Sequence, residues 1–384
     1  MPNYSTSAIT RYTKMIPASL YQAIYINLLF ILTILYVLSH QNLSFQAIYR
    51  GRDNYQASLV LTIILILFLG LRPVSYHFGD TVNYALTYSN LQYRIIEFGP
   101  ETSDWLFSWL MDRCARVMSV RAFFLIIEIG YIGCSLWACK RLMRNNVWVA
   151  LLMNLVAFSY YSYGINGIRN GLACSIMLVA FSYILGNKND KIFAAILCFC
   201  AYNIHHSTAL PILMMIISAF ILPKFKNSLN LTIAFWFLSI FLSLTVGGWL
   251  ENFFAGLGFD DRLNSYITSN EEDEQFSSVG FRWDFLLYGV MPIILGWYVV
   301  IKKKVYNSTY LMLLNTYILC NSFWVMLIRA SFSNRFAYLS WFIYPMLLAY
   351  PLLKLPVWRE QGNKLNWIML ANVGFTYFMW LIGK

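Results

Sequence analysis

Apolar runs, each about as long as a bilayer-spanning helix, repeat along the chain with short polar stretches between them. A spanning helix needs ~20 largely apolar residues, and by run length and loop charge about twelve segments qualify. They are Leu20–Leu38, Ala57–Leu71, Arg121–Cys139, Val147–Tyr163, Ile168–Leu185, Ile192–Asn203, Ser207–Leu222, Leu231–Leu250, Asp284–Ile301, Tyr310–Ile328, Tyr338–Leu353 and Asn366–Ile382. None alternates apolar and polar residues as a barrel strand would, and only helices or closed barrels satisfy their backbone groups in lipid. The expected fold is therefore all-α: a polytopic transmembrane helical protein. The first span can itself direct insertion, so no cleavable signal is needed. One further segment, Asp104–Met118, mixes Asp104, Asp112, Arg113 and Arg116 with apolar residues and reads as an interfacial amphipathic helix.

Residues 1–19 form an N-terminal extension, and 20–384 read as a single transmembrane domain with two sizeable outer loops, 72–120 and 251–283. No clear internal repeat is evident, which argues against a transporter built from duplicated halves. Composition agrees with the pattern. Charged residues are 12% of the chain, against about 25% in a soluble domain, too few to solvate a soluble surface. Six of the seven cysteines lie in or at the ends of apolar runs, and Cys114 is alone in a loop. They read as packing residues rather than as a disulfide framework or a metal site.

Charge then orients the helices. Lys140–Arg141–Arg144, Lys188/Lys191, Lys224/Lys226, Lys302–Lys304 and Lys354/Arg359/Lys364 fall in every second loop, as cytoplasmic loops enriched in basic residues do. Counting back, the N-terminus lies outside. The opposite loops carry no lysine but do carry arginine: Arg262, Arg282, Arg329 and Arg335, with Arg169 just inside the next helix. Guanidinium offers phosphate a planar donor fork that lysine cannot copy. Arg262 has Asp260 and Asp261 beside it as partners, whereas Arg169 and Arg335 have no acidic neighbour in sequence and read as an anion site.

Four motifs lie on that outer side. The first runs Arg72-Pro73, Gly79-Asp80-Thr81-Val82-Asn83-Tyr84, then Glu101 and Asp104-Trp105; Asp80 is placed to cap a helix through Thr81–Tyr84. The second is Asn166-Gly167-Ile168-Arg169-Asn170-Gly171, in which Arg169 opens a helix whose dipole adds to its pull on phosphate. The third, His205-His206-Ser207-Thr208-Ala209-Leu210, supplies a proton carrier. The fourth is Asn334-Arg335-Phe336-Ala337-Tyr338. Glu271–Glu274 reads as a solvated acidic loop, since it lacks the spacing of a calcium loop. Glu128 is the only carboxylate well inside an apolar run and must face protein or water.

In order and spacing these four motifs resemble the EpsG-like family of Wzy-type polysaccharide polymerases, over roughly residues 20–350. The residues that carry the likeness are Arg72…Gly79-Asp80-Thr81…Tyr84, Asn166…Arg169…Gly171, His206-x-Thr208-Ala209-Leu210 and Asn334-Arg335…Tyr338. The resemblance implies a GT-C-like glycosyltransferase architecture of about twelve spans. It implies a polymerase of undecaprenyl-diphosphate-linked repeat units (O-antigen or exopolysaccharide) in the bacterial inner membrane, with its active site facing the periplasm. The growing glycan would pass to the non-reducing end of a new lipid-linked unit. On this reading Arg72, Arg169, Arg282 and Arg335 hold the donor diphosphate, and Asp80, Glu101 or His206 takes the acceptor proton. No metal, cofactor or nucleic acid is expected. Partners are the lipid-linked glycan and membrane lipids, with room for a chain-length regulator. The alternatives are an O-antigen ligase and a lipid-linked glycan flippase or other transporter.

Overall fold

Short polar side chains mark where apolar runs turn into helices. Ser44, Asn54, Ser119 and Asn307 accept from the backbone N–H of Ala47, Ala57, Ala122 and Tyr310 respectively. Asn187 and Asp190 form a reciprocal capping box. Each such cap contributes about 0.5–2 kcal/mol. The computed structural model describes residues 16–51, 54–99, 104–256, 280–330 and 333–383, and these form helices and connecting turns only.

In chain order the α-helices are α1 (Tyr21–Ser39), α2 (Phe45–Arg50), α3 (Tyr55–Gly70), α4 (Thr81–Gln92), α5 (Trp105–Ala115) and α6 (Val120–Met143). Then come α7 (Val147–Leu155), α8 (Tyr160–Ile165), α9 (Ile168–Tyr183), α10 (Lys188–Ile204) and α11 (Ala209–Ile216). Next are α12 (Ser228–Gly256), α13 (Trp283–Trp297), α14 (Ser308–Met326), α15 (Asn334–Trp341), α16 (Tyr344–Lys354) and α17 (Gln361–Leu381). Among the described residues six helical stretches are long and apolar enough to cross a membrane: Ala18–Ser39, Val120–Met143, His206–Lys224, Ser228–Leu250, Trp283–Lys302 and Asn334–Lys354. Tyr55–Gly70 and Ile168–Tyr183 are apolar but shorter. The protein is thus a polytopic helical membrane protein, with fewer full-length spans than apolar runs. The run Val147–Tyr163 shows why, since it is divided into α7 and α8.

Between Phe336 and Leu353 the stretch Asn334–Lys354 is buried throughout and forms the central pillar, with α14 beside it. Lipid-facing aromatics lie outside, including Phe237 and Phe241 on α12. Buried amides bind the pillar to its neighbours. Thr232 Oγ1 donates to Asn315 Oδ1 at 2.9 Å, Trp236 Nε1 to Asn321 Oδ1 at 2.8 Å, and Asn321 Nδ2 to Ser340 Oγ at 3.1 Å. Such cross-helix bonds hold helices together where lipid offers no hydrophobic drive. The expected interfacial segment becomes α5. Trp105 and Trp109 are partly exposed, while Phe107 and Met111 are buried where α5 packs on α4, α6 and α10.

Helix direction sorts the charges. α6 ends at Lys140 and Arg141, and Arg141 pairs at 3.2 Å with Asp190 in the first turn of α10. Lys140 lies over Tyr55 at the start of α3, and Lys354 over Tyr49 of α2. α9 arrives at this same end, with Tyr183 under Arg141. The other ends of α3, α9 and α10 deliver Arg72, Arg169 and His205 to the opposite side. α10 alone separates the two ends by about 25 Å at 1.5 Å per residue.

Candidate active site

The backbone of the first outer loop is clasped by the break between α8 and α9. Ile165 has lost its helical partner, and its carbonyl accepts from both Thr81 Oγ1 at 2.7 Å and Arg72 Nη2 at 3.3 Å. Asn166 Oδ1 accepts from the Asp80 N–H at 2.8 Å. Gly79 has φ +56°, and a Cβ there would lie 2.5 Å from Asn166 Oδ1, so glycine is required twice over. The first two motifs are therefore each other's binding partners.

This docking brings Asp80 to face Arg169 and Arg335. Arg335 Nη2 lies 3.8 Å from Asp80 Oδ2, with both side chains about a third exposed. Asp80 precedes α4 but its carboxylate makes no cap bond; Oδ1 accepts instead from Asn83 Nδ2 at 3.2 Å. Arg169 opens α9 and donates from Nη1 to Asp104 Oδ2 at 2.7 Å and from Nε to the Tyr84 hydroxyl at 3.2 Å. A cleft of about 500 Å³ runs along these groups between α4 and α5. A smaller recess continues from it, sharing Asp80, Tyr84, Arg169 and Arg335 and adding Asn170 and His205. The cleft can accept an anion between two guanidinium groups and offers a partly exposed carboxylate beside them.

Asp104 organises this site, although from the sequence it reads only as the start of a helix. It sits in the left-handed region, φ 58° and ψ 44°, a conformation Asp tolerates better than most residues. Its carboxylate is thereby turned away from α5. Oδ1 accepts from the His206 N–H at 2.9 Å, Oδ2 holds Arg169, and His205 Nδ1 lies 3.4 Å from Oδ2. Burial pushes the Asp104 carboxyl up, but the bond and charge from His205, the Arg169 charge and the His206 N–H outweigh it and hold the group well below the usual carboxylate range. A carboxylate so stabilised is a poor base, and its work is to fix Arg169 and the histidines.

Because its folded-state value is lowered, Asp104's contribution to stability is present above the ordinary carboxylate range and is lost only as pH falls through the lowered value. Asp104→Asn is therefore expected to melt below wild type by about 2 kcal/mol at about pH 5 and above, and the gap should shrink as pH falls below the ordinary carboxylate range. Thermal unfolding in detergent at several pH values reads this. A gap that stays unchanged as pH falls below about 4 would mean that Asp104 titrates near its ordinary value.

The remaining expected site residues divide. His206 Nδ1 accepts from the Asp104 N–H at 2.9 Å and its ring lies edge-on to Tyr202, whereas His205 lines the recess. Of the two it is thus His205 that faces the recess, although His206 is the more exposed. Arg72 is corrected: it does not reach the cleft. It is 1% exposed and donates from Nη1 to Glu128 Oε1 at 3.0 Å and to the Leu69 carbonyl at 2.7 Å. Arg282 is held by Asp284 in a two-pronged pair, at 2.9 and 2.7 Å, and lies over the Phe285 ring. That pairing, with an acid two residues along the chain, is of the same local kind as the one read from the sequence for Arg262. Glu101, Arg262 and the acidic loop Glu271–Glu274 lie outside the described residues.

A membrane-embedded helical bundle with arginines and carboxylates gathered in a cleft at one end, and lysines at the other, defines the class. The model of the EpsG family matches residues 55–383, and the chain belongs to that family. The matched region begins at α3 and takes in all four motifs as well as α17, so it reaches further toward the C-terminus than the motifs themselves. Membership points to a polysaccharide polymerase-type, glycosyltransferase-like function. No curated protein and no solved structure matches the chain.

Proposed function

We propose that the chain polymerises undecaprenyl-diphosphate-linked oligosaccharide repeat units at the periplasmic face of the bacterial inner membrane. One observation carries the reading: Arg169 and Arg335, far apart in sequence, line one cleft with Asp80 at the end opposite the lysines. Lysine-rich ends face the cytoplasm, so the cleft opens to the periplasm. The two guanidinium groups bind the donor diphosphate and offset its charge as it leaves. The acceptor hydroxyl oxygen bonds to the anomeric carbon as the bond from that carbon to the diphosphate oxygen breaks. The lipid diphosphate departs with the electron pair, and the hydroxyl proton passes to Asp80. Asp80 is preferred over His206 for this task because it lines both the cleft and the recess, and His206 lines neither. Arg282 and Arg72, each engaged with its own carboxylate, stand outside the clamp.

A deletion strain tests the reading. It should keep glycan carrying a single repeat and lose every longer product, and complementation with the Asp80→Asn chain should not restore them. Complete loss of surface glycan would favour the ligase or flippase instead. Periplasmic thiol labelling of single-cysteine chains should mark position 334 and spare position 303; the opposite pattern would invert the orientation.

A further inference from the structure

At the lysine end of the bundle a groove of about 630 Å³ runs over an exposed face of α6. Tyr55, at the start of α3, forms one wall, and Trp137, Lys140 and Arg144 line it further. Its floor is open because position 133 is glycine: a Cβ there would have no atom within 4 Å. Trp137 is 43% exposed and held in place, its indole N–H donating to the Tyr183 hydroxyl at 3.2 Å. Away from the lysine end the same face of α6 continues from Gly133 to Ile129 and Ile126, both exposed.

Charge is concentrated at one end of this track. Arg141, which also lines the groove, is engaged with Asp190 at 3.2 Å and lies over the Tyr183 ring. Lys140 Nζ lies 4.2 Å from the Tyr55 ring and Arg144 is exposed; among the described residues neither is paired with a carboxylate. Arg144 sits in a γ-turn, φ 56° and ψ −77°, closed by the Asn145 N–H on the Met143 carbonyl at 2.7 Å. Glycine would take that strained conformation more readily. From Gly133 to Lys140 α6 advances about 10 Å, so two uncompensated cations stand over an apolar track as a headgroup stands over its chains.

We propose that this groove binds an anionic glycerophospholipid, with its phosphate between Lys140 and Arg144 and an acyl chain along Trp137, Gly133 and Ile129. The inference shares the orientation proposed above, which sets this end in the anionic cytoplasmic leaflet, and it is independent of the polymerase reading. Cations that serve only to orient the chain need no groove beneath them. A free phosphate would meet the same two cations but leave the exposed indole and the glycine floor unused. A zwitterionic phospholipid would fill the apolar track, yet its own ammonium would be repelled by Lys140 and Arg144. Basic pockets between helices on the cytoplasmic side suit anionic headgroups for these reasons.

The test uses the purified full-length chain, stripped of lipid in detergent, with bound lipid read by native mass spectrometry. Phosphatidylglycerol should bind more tightly than phosphatidylcholine of the same chains, and Lys140→Ala and Arg144→Gly should each weaken it about fivefold. Arg144→Gly suits the turn, so its effect is not one of unfolding. Gly133→Leu keeps every charge and fills the groove, and it should weaken phosphatidylglycerol in the same direction. Lys226→Ala, just past the span His206–Lys224 at the same end but outside the groove, should change nothing. Equal weakening by Lys226→Ala, or binding indifferent to Gly133→Leu, would show attraction to a charged surface at large and overturn the site. Equal affinity for the two phospholipids would overturn it too. Displacement of phosphatidylglycerol by an equal concentration of glycerol 3-phosphate would assign the cations to a soluble phosphate and end the lipid assignment.

Discussion

Glu128→Ala is expected to destabilise the protein by about 3–5 kcal/mol, the largest effect foreseen for any single change outside the cleft. Glu128 is 0% exposed and Arg72 1%, and their ion pair spans 3.0 Å inside the bundle. Removing the carboxylate leaves a guanidinium buried with two carbonyl partners, Leu69 and Ile165, and no counter-charge. Desolvation makes such a cation far dearer than the pair itself is worth. Arg72→Met combined with Glu128→Leu removes both charges and should recover part of the loss. The recovery is incomplete because the bonds to Leu69 and Ile165 go with the arginine. Thermal unfolding in detergent of the two single variants and the double reads the outcome. If Glu128→Ala melts with wild type, or the double variant melts below both singles, the pair does not stabilise the fold. An activity loss in Arg72 variants is accordingly expected to track lost folded protein, not lost substrate affinity.

Arg169→Lys is expected to be nearly as damaging as Arg169→Ala, each cutting polymer formation by about 10²–10³-fold. Arg169 spends Nε on the Tyr84 hydroxyl and Nη1 on Asp104, and its guanidinium lies near the Tyr84 and Phe107 rings, at 5.7 and 5.9 Å. A planar group with five donors can keep those contacts and still address a phosphate. A lysine ammonium with a single nitrogen would settle on Asp104, the nearest anion, and leave the cleft. Polymer yield per folded protein, with Asp104 intact, is the measurement. Recovery of most activity by lysine would mean that charge alone suffices and that the fork plays no part.

Much of the fold is legible in the sequence because lipid imposes simple rules. Run length and the alternation of lysine loops predict helices and their directions, and among the described residues Lys140 and Lys354 lie at one end of the bundle and Arg169 and Arg335 at the other. Span number is less legible. Hydropathy sees Val147–Tyr163 as one run and cannot see the turn between α7 and α8 that divides it. The meeting of Arg169, Asp80 and Arg335 could be guessed from motif order. The role of Arg72 could not, because its partner lies 56 residues away in an apolar helix. The sequence does single out Glu128 as an acid that must face something, but Arg113, Arg116 and Arg121 all lie nearer to it along the chain than Arg72 does. Asp104 was hidden for a different reason. An Asp before an apolar helix reads as an ordinary cap, and only its left-handed backbone reveals that the carboxylate is aimed elsewhere.

The broken helix at Ile165–Asn166 also dictates an order of assembly. Arg72, Asp80 and Thr81 are synthesised well before the carbonyl and amide that receive them. In the proposed orientation this loop is translocated during that interval with nothing to dock on, and its backbone donors must be satisfied by water. Only when α8 and α9 follow does the loop close over them, so the cleft comes into being late, as the last act of a half-built bundle. A membrane enzyme assembled this way carries no finished site while its chain is still being threaded through the bilayer.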